Sequence, residues 1–193
     1  MSSEIKADLI KDKSGTKTLA TLSSSAVTLD SSVVFPAGGT GNPVSVAVIC
    51  DEKSANESAG SSSSYNGSWE KKELNTELSD PDNIVSIASD QFTLGAGTYL
   101  INWSSPMYMT NRHQSRLYDV TGSTVLESGS SEYSFSDTSV CTRSMGSRIH
   151  TITANNVYEI QHQTDFTRSD GLGVASMMGI PNIYTLVTIY KLK

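Results

Sequence analysis

QFTLGAGTYLINW, residues 91–103, decides the fold class of this chain. Gln91 to Leu94 alternate polar and apolar, and Gly95-Ala96-Gly97 break the run. Beyond the break, Tyr99, Ile101, Trp103, Met107 and Met109 recur at every second position. Period two over that length describes a half-buried β-strand, because helical faces repeat every 3.6 residues. The same grammar recurs along the chain, which predicts an all-β, two-sheet antiparallel sandwich. A sandwich does not specify its own function, so surface and assembly must carry that argument.

The chain has 193 residues, enough for one sandwich and a small appendage. Its net charge of −6 argues against nucleic acid and anionic membranes as partners, and no basic run offsets it. The N-terminal MSSEIKADLIKDKSG is charged and lacks the apolar core of a secretory signal. No stretch has the roughly 18 apolar residues of a membrane helix. The expectation is a soluble chain with no membrane insertion, made without a signal peptide. Cys50 and Cys141, only two and without an export signal, are expected to be free thiols. Asn56, Asn66 and Asn102 begin glycosylation-type triplets. A Ser-rich chain produces these by chance, and Asn102 lies within the expected strand.

Residues 1–43 differ from the remainder. Leu19–Leu22, Val27–Leu29 and Val33–Phe35 are small apolar clusters separated by Ser-Ser-Ser and Asp-Ser-Ser and stopped by Pro36. They read as short strands joined by turns, too small for a core of their own, and hence as an anchor or short stalk. Residues 44–193 read as the head domain. Strands are expected at Val44–Cys50, Ile84–Ala88, Phe92–Leu94 and Thr98–Met109, and a hairpin at Arg116–Val120 and Thr124–Leu126 around Thr121-Gly122-Ser123. Further strands are expected at Arg148–Thr153 and Val157–His162, with Asn155 and Asn156 suited to positive φ between them. The segment from Trp69 to Leu78 fits a short helix or an edge strand. Asp80-Pro81-Asp82-Asn83 reads as a turn, and the Ser-rich stretches 54–68 and 128–144 as mobile, exposed loops. Residues 169–182 read as a connection to the last strand.

That last strand, IYTLVTIYKL at 183–192, is apolar on both sides. Its alternation places Ile183, Val187 and Ile189 on one face and Tyr184, Leu186 and Tyr190 on the other. In a two-layer sandwich only one face meets the core. The second face calls for a further copy of the chain, with Tyr184, Leu186 and Tyr190 as candidate interface residues.

The order of these pieces resembles the jelly-roll head of the tumour necrosis factor and complement globular-head superfamily over residues 44–193. Gly97-Thr98-Tyr99 is similar to that family's Gly-x-Tyr strand, and YTLVTIYKL at 184–192 to its central interface strand. The resemblance implies a homotrimer about a threefold axis. It also implies that the chain changes sheets between 148–153 and 157–162. RLYDVTGSTVLESG (116–129), HTITANNVYEIQHQT (150–164) and the N-terminal IKADLIKDKSGTKTLATL resemble tailed-bacteriophage virion proteins, in which such an N-terminal segment forms the attachment or shaft.

Residues suited to catalysis are sparse. His113, His150 and His162 are the only histidines, with His150 and His162 on neighbouring expected strands and no third or fourth zinc ligand at suitable spacing. No G-x-S-x-G elbow is present, and Gly171-x-Gly173 lacks the Lys-Ser/Thr of a phosphate loop. Asp80 and Asp82 fit turn chemistry better than calcium binding. Trp103 reads as core and Trp69 as packing over a sheet edge, or as a sugar-stacking platform. Met107, Met109, Met177 and Met178 read as core filling, with a seam between copies as the alternative. The expectation is a non-enzymatic phage virion protein without cofactor or metal, a trimeric fibre or appendage head. Its loops would contact host glycan or protein, with Tyr65, Asn66, Trp69 and Tyr133 as candidate receptor contacts. A capsid decoration protein is the alternative, and in both roles residues 1–43 would seat the chain on other virion proteins.

Overall fold

The computed structural model describes residues 9–11, 18–22, 27–29, 44–62 and 67–193. Contacts divide the chain into two units, Met1–Pro43 and Val44–Lys193. In the first, β1 (Leu9–Lys11), β2 (Thr18–Leu22) and β3 (Val27–Leu29) form an antiparallel three-stranded sheet in sequence order. The cluster at Val33–Phe35 lies outside the described residues.

The second unit is built from β4 (Ser45–Lys53), β5 (Glu70–Lys71), β6 (Thr76–Ser79), β7 (Val85–Ala88), β8 (Gln91–Leu94), β9 (Gly97–Tyr108), β10 (Asn111–Asp119), β11 (Thr124–Ser134), β12 (Cys141–Ile152), β13 (Asn156–Thr164) and β14 (Asn182–Lys191). One sheet runs β12-β9-β14-β4-β6 and the other β11-β10-β13-β8-β7, with β5 also paired to β13. All pairings are antiparallel. Connections that pass from one packed antiparallel sheet to the other make this a jelly roll. Gly95-Ala96-Gly97 is one such crossing, carrying the chain from β8 in one sheet to β9 in the other. A Cβ on Gly97 would stand 2.9 Å from the Lys193 carbonyl, so the approach there requires glycine. The chain also changes sheets between β12 and β13, as the resemblance implied.

The interior is apolar at one end and polar at the other. Ile49, Phe92, Leu94, Tyr99, Ile101, Leu117, Tyr158, Ile160, Val187 and Ile189 belong to one buried cluster. Further along the same strands the inward positions become Ser105, Ser115, His113, His162, Thr164 and Thr185, all buried. Trp103 marks the boundary: it is core, as expected, and its indole N–H donates to Ser115 Oγ at 2.8 Å. Ser115 N in turn donates to Ser144 Oγ (2.9 Å), and Ser144 Oγ to the Ser130 carbonyl (2.7 Å). These bonds join the edge strands β11 and β12 across the two layers and satisfy groups that burial would otherwise penalise.

Several sequence expectations change. Residues 128–144 are not a loop: β11 continues to Ser134 and β12 starts at Cys141, because alternating serines fill a pleated strand as readily as a turn. Trp69 to Leu78 is neither helix nor one strand, since β5 and β6 pair in opposite sheets. The 54–62 stretch is tied down: Ser62 bridges Arg168 and is buried, and Ala59 N donates to the Gly173 carbonyl at 2.9 Å. Asn155 and Asn156 are not among the positive-φ residues. Met109 leaves the strand with φ of 52°, and Met177 and Met178 are 71% and 75% exposed, not core. The turn at Asp80 holds, its carboxylate accepting from the Ile84 and Val85 amides at 2.9 Å each.

The last strand carries the largest correction. A register shift between Ile183 and Leu186 breaks the alternation. Val187 and Ile189 point into the core as expected, but Ile183 is exposed. Tyr184 is buried at 5% exposure against Gly173, donating its hydroxyl to the Glu57 carbonyl at 2.7 Å. Tyr184 is therefore covered by its own chain and leaves the set of interface candidates.

Gly146, opposite Trp103 in the β9–β12 pairing, has no room for a side chain: a Cβ would lie 2.0 Å from the indole ring. Gly146→Ala should therefore destabilise the head by roughly 1–3 kcal/mol, read as a lowered urea midpoint with unchanged slope.

Candidate functional site

On the outer face of the sheet β11-β10-β13, period two sets polar side chains in cross-strand rows. Gln114 stands in register with Ser131 on β11 and with Gln163 on β13. One row along, Arg112 stands beside Tyr133, and its guanidinium meets Asp165 at 3.3 Å. In the next row, Arg116 stands between Ser128 and Gln161, and its Nε donates to Gln161 Oε1 at 2.6 Å. The rows of Gln114 and Arg112, but not that of Arg116, floor an open cleft of about 490 Å³ lined by Gly67, Arg112, His113, Gln114, Ser131, Glu132, Gln163, Thr164 and Asp165.

Aromatic groups stand elsewhere on the same sheet face. Trp69, half-buried, lies under the Arg116 guanidinium, 4.1 Å from the ring centroid. That contact holds the indole flat over the sheet, as cation–π geometry favours. Tyr133 is exposed and stacks on Phe135 with centroids 6.1 Å apart. Of the candidate receptor contacts, Tyr133 stands in register with the cleft-lining Arg112 and Trp69 packs on Arg116 one row beyond Gln114, and neither aromatic lines the cleft itself. Tyr65 and Asn66 lie outside the described residues. Sequence reading missed Arg112, Gln114, Ser131 and Gln163. The signal was present in RHQSR at 112–116, where polar residues alternate with positions that the fold buries.

The outward face of the other sheet is different in character. Leu186 and Tyr190 are half-buried on its central strand, joined by Val46 and Val48 on β4 and Leu100 on β9. Met145 and Ile149 on β12 extend this strip and are 58% and 61% exposed. Polar contacts on this face are few: Ser147 Oγ donates to Asn102 Oδ1 at 2.7 Å, and Arg143 binds Ser104 Oγ and the Tyr184 carbonyl.

A third arrangement lies inside the sandwich. Lys72 is fully buried, donating to the Pro106 carbonyl at 2.7 Å and to Met107 Sδ at 3.3 Å. Burial lowers its pKa to about 7, opposed by the Asp51 carboxyl. His113 and His162 are buried nearby. Burial, then the Lys72 charge, lowers His113 to about 4 and His162 well below its usual value. His113 Nε2 meets Thr142 Oγ1 at 2.7 Å, and His162 stands in register with Glu70, whose backbone opposes the lowering. The expected neighbours His150 and His162 sit in different sheets, and His150 instead packs edge-on against Tyr158. Among the described residues no group of three or more His, Cys, Asp or Glu is placed to hold a metal ion. Cys50 is buried and Cys141 exposed, both free.

No protein-family model matches the chain, and no curated protein matches it. Solved structures do. Murine APRIL superposes with a TM-score of 0.54 at 10% identity, covering 78% of this chain and all of that one. The globular domain of zebrafish complement 1qA gives 0.48 at 16% identity over 77% and 98% of the two chains. Eiger TNF from S. frugiperda gives 0.49 at 10% identity over 79% and 94%. Likeness at this identity is likeness of fold: the head is a tumour-necrosis-factor-like jelly roll.

The neutral histidines make stability depend on acid. With folded pKa values below the ordinary 6.5 of histidine, the unfolded chain binds more protons between about pH 6.5 and 4. Asp51, raised by burial to about 6, works in the opposite sense over the same range. Two imidazoles outweigh one carboxyl, so the melting temperature should fall as pH is lowered from 6.5 to 4. His113→Gln should flatten that slope in thermal melts; an unchanged profile would contradict neutral burial.

Proposed function

We propose that this chain is a non-enzymatic structural protein of a tailed-phage particle, a homotrimeric fibre or appendage head. Residues 1–43 attach it to other virion proteins. Copies pack through the outward face of the sheet β12-β9-β14-β4-β6. The cleft face of the opposite sheet is turned to the host surface.

One observation carries this reading: the apolar strip of half-buried Leu100, Leu186 and Tyr190, continued by exposed Met145 and Ile149, is only partly covered in a single chain. A contiguous apolar patch at the centre of a sheet marks an interaction site. Covering an exposed large side chain contributes roughly 1.5–3 kcal/mol each, and closed symmetry lets every copy do so at once. The threefold count and the phage setting come from the sequence resemblance given above.

Light scattering on the purified chain should give three times the 20.7 kDa of one copy. Ile149→Asp combined with Tyr190→Asp should yield monomers. A monodisperse parent monomer at micromolar concentration would overturn the assembly. Adsorption separates the two placements on the particle. The purified protein blocks phage adsorption to cells if it is an appendage head, and leaves adsorption unchanged if it decorates the capsid.

A further inference from the structure

The cleft over Gln114, Ser131 and Gln163 has a chemistry that selects its ligand. We propose that it binds a neutral saccharide. This inference rests on the host-contact reading above and gives that contact a ligand class.

The floor offers hydrogen bonds that the protein leaves unused. The Gln163 amide and the Ser131 hydroxyl have no partner among the described residues, although both line the cleft. Gln114 spends its amide N–H on the Gly129 carbonyl at 2.8 Å, which fixes the side chain and leaves its Oε1 as an acceptor. Strand spacing sets these groups about 4.8 Å apart across the row. That pitch suits a ligand carrying several hydroxyls around a compact ring, which both donates and accepts at each one.

Charge narrows the class. The single cation of the cleft, Arg112, is already bound to Asp165 through its backbone N–H (2.9 Å) and its guanidinium (3.3 Å). Glu132 adds a second carboxylate, holding the Ser130 hydroxyl at 2.7 Å. One cation and two anions leave the cleft at −1, and the chain carries −6. Phosphate, sulfate and acidic sugars are repelled by that balance, so a neutral polyol is favoured.

Tyr133, in register with the cleft-lining Arg112, supplies the remaining requirement. Amphipathic rings at binding surfaces present a flat apolar face, which the C–H side of a sugar ring can cover. Such a ring is Tyr133, exposed beside Arg112 and stiffened by its stack on Phe135. A volume of about 490 Å³ lies within the range of small-ligand sites.

The test is saturation-transfer NMR on the full chain. The neutral probes are glucose, galactose, mannose, rhamnose and N-acetylglucosamine, with N-acetylneuraminic acid and glucose 6-phosphate as acidic probes. At least one neutral sugar should bind with a dissociation constant on the order of 1 mM, as expected of an open polar site. Gln163→Ala and, separately, Ser131→Ala break no intrachain side-chain hydrogen bond, and each should weaken that sugar about tenfold while melting like the parent. Binding of acidic probes alone, no binding at 20-fold the expected constant (~20 mM), or full binding retained in Gln163→Ala would overturn the inference. The adsorption assay separates this from the host-contact reading. If the protein blocks adsorption but binds no neutral sugar, the saccharide assignment falls alone. If it binds sugar but does not block adsorption, the host-contact role falls alone.

Discussion

A strand in the middle of a sheet has two faces to cover, and β14 covers only one from its own chain. Val187 and Ile189 fill the interior between the layers, while Leu186 and Tyr190 stand on the opposite side among Val46, Val48 and Leu100. Because β14 lies between β9 and β4, this apolar strip is central and cannot be hidden by a bend of the sheet edge. Burial of apolar surface is the dominant favourable term in association as in folding, so the assembly proposal begins at this strand.

The division of the interior into an apolar and a polar end has consequences for both surfaces. At the apolar end, interdigitated Phe92, Tyr99, Tyr158 and Ile160 fix the relation of the two sheets. At the polar end, hydrogen bonds replace apolar packing: the Trp103–Ser115–Ser144 links and the Lys72 ammonium seated on backbone carbonyls. The cleft lies over this second end, since Arg112, Gln114 and Gln163 alternate with inward His113, Ser115, His162 and Thr164 on the same strands. The same residues that hold the sheets apart with polar contacts thus set the pitch of the floor above them.

Much of the fold was legible in the sequence because period two is a local signal. QFTLGAGTYLINW, the β10–β11 hairpin around Gly122 and the closing strand all showed it. What local pattern could not show was where alternation slips. The irregularity between Ile183 and Leu186 interrupts the uniform register, and only the packing of 54–62 and 171–173 against Tyr184 explains why that ring is buried. Serine misled in a second way. As a small residue it fits loops, yet in β11 and β12 it bonds the two layers together. The cleft face was legible only in part: Trp69 and Tyr133 stood out as aromatic, whereas Gln114 and Gln163 gain meaning from a cross-strand register that no single segment encodes.

Oxidative footprinting of the methionines tests the uncovered strip most directly. In one copy Met145, Met177 and Met178 are all well exposed, and only Met145 lies on the face assigned to contact between copies. The assembled protein should protect Met145 from peroxide while Met177 and Met178 oxidise readily. Oxidation of all three at the same rate, at concentrations where the chain is fully assembled, would show that the sheet face stays in water and contradict the account.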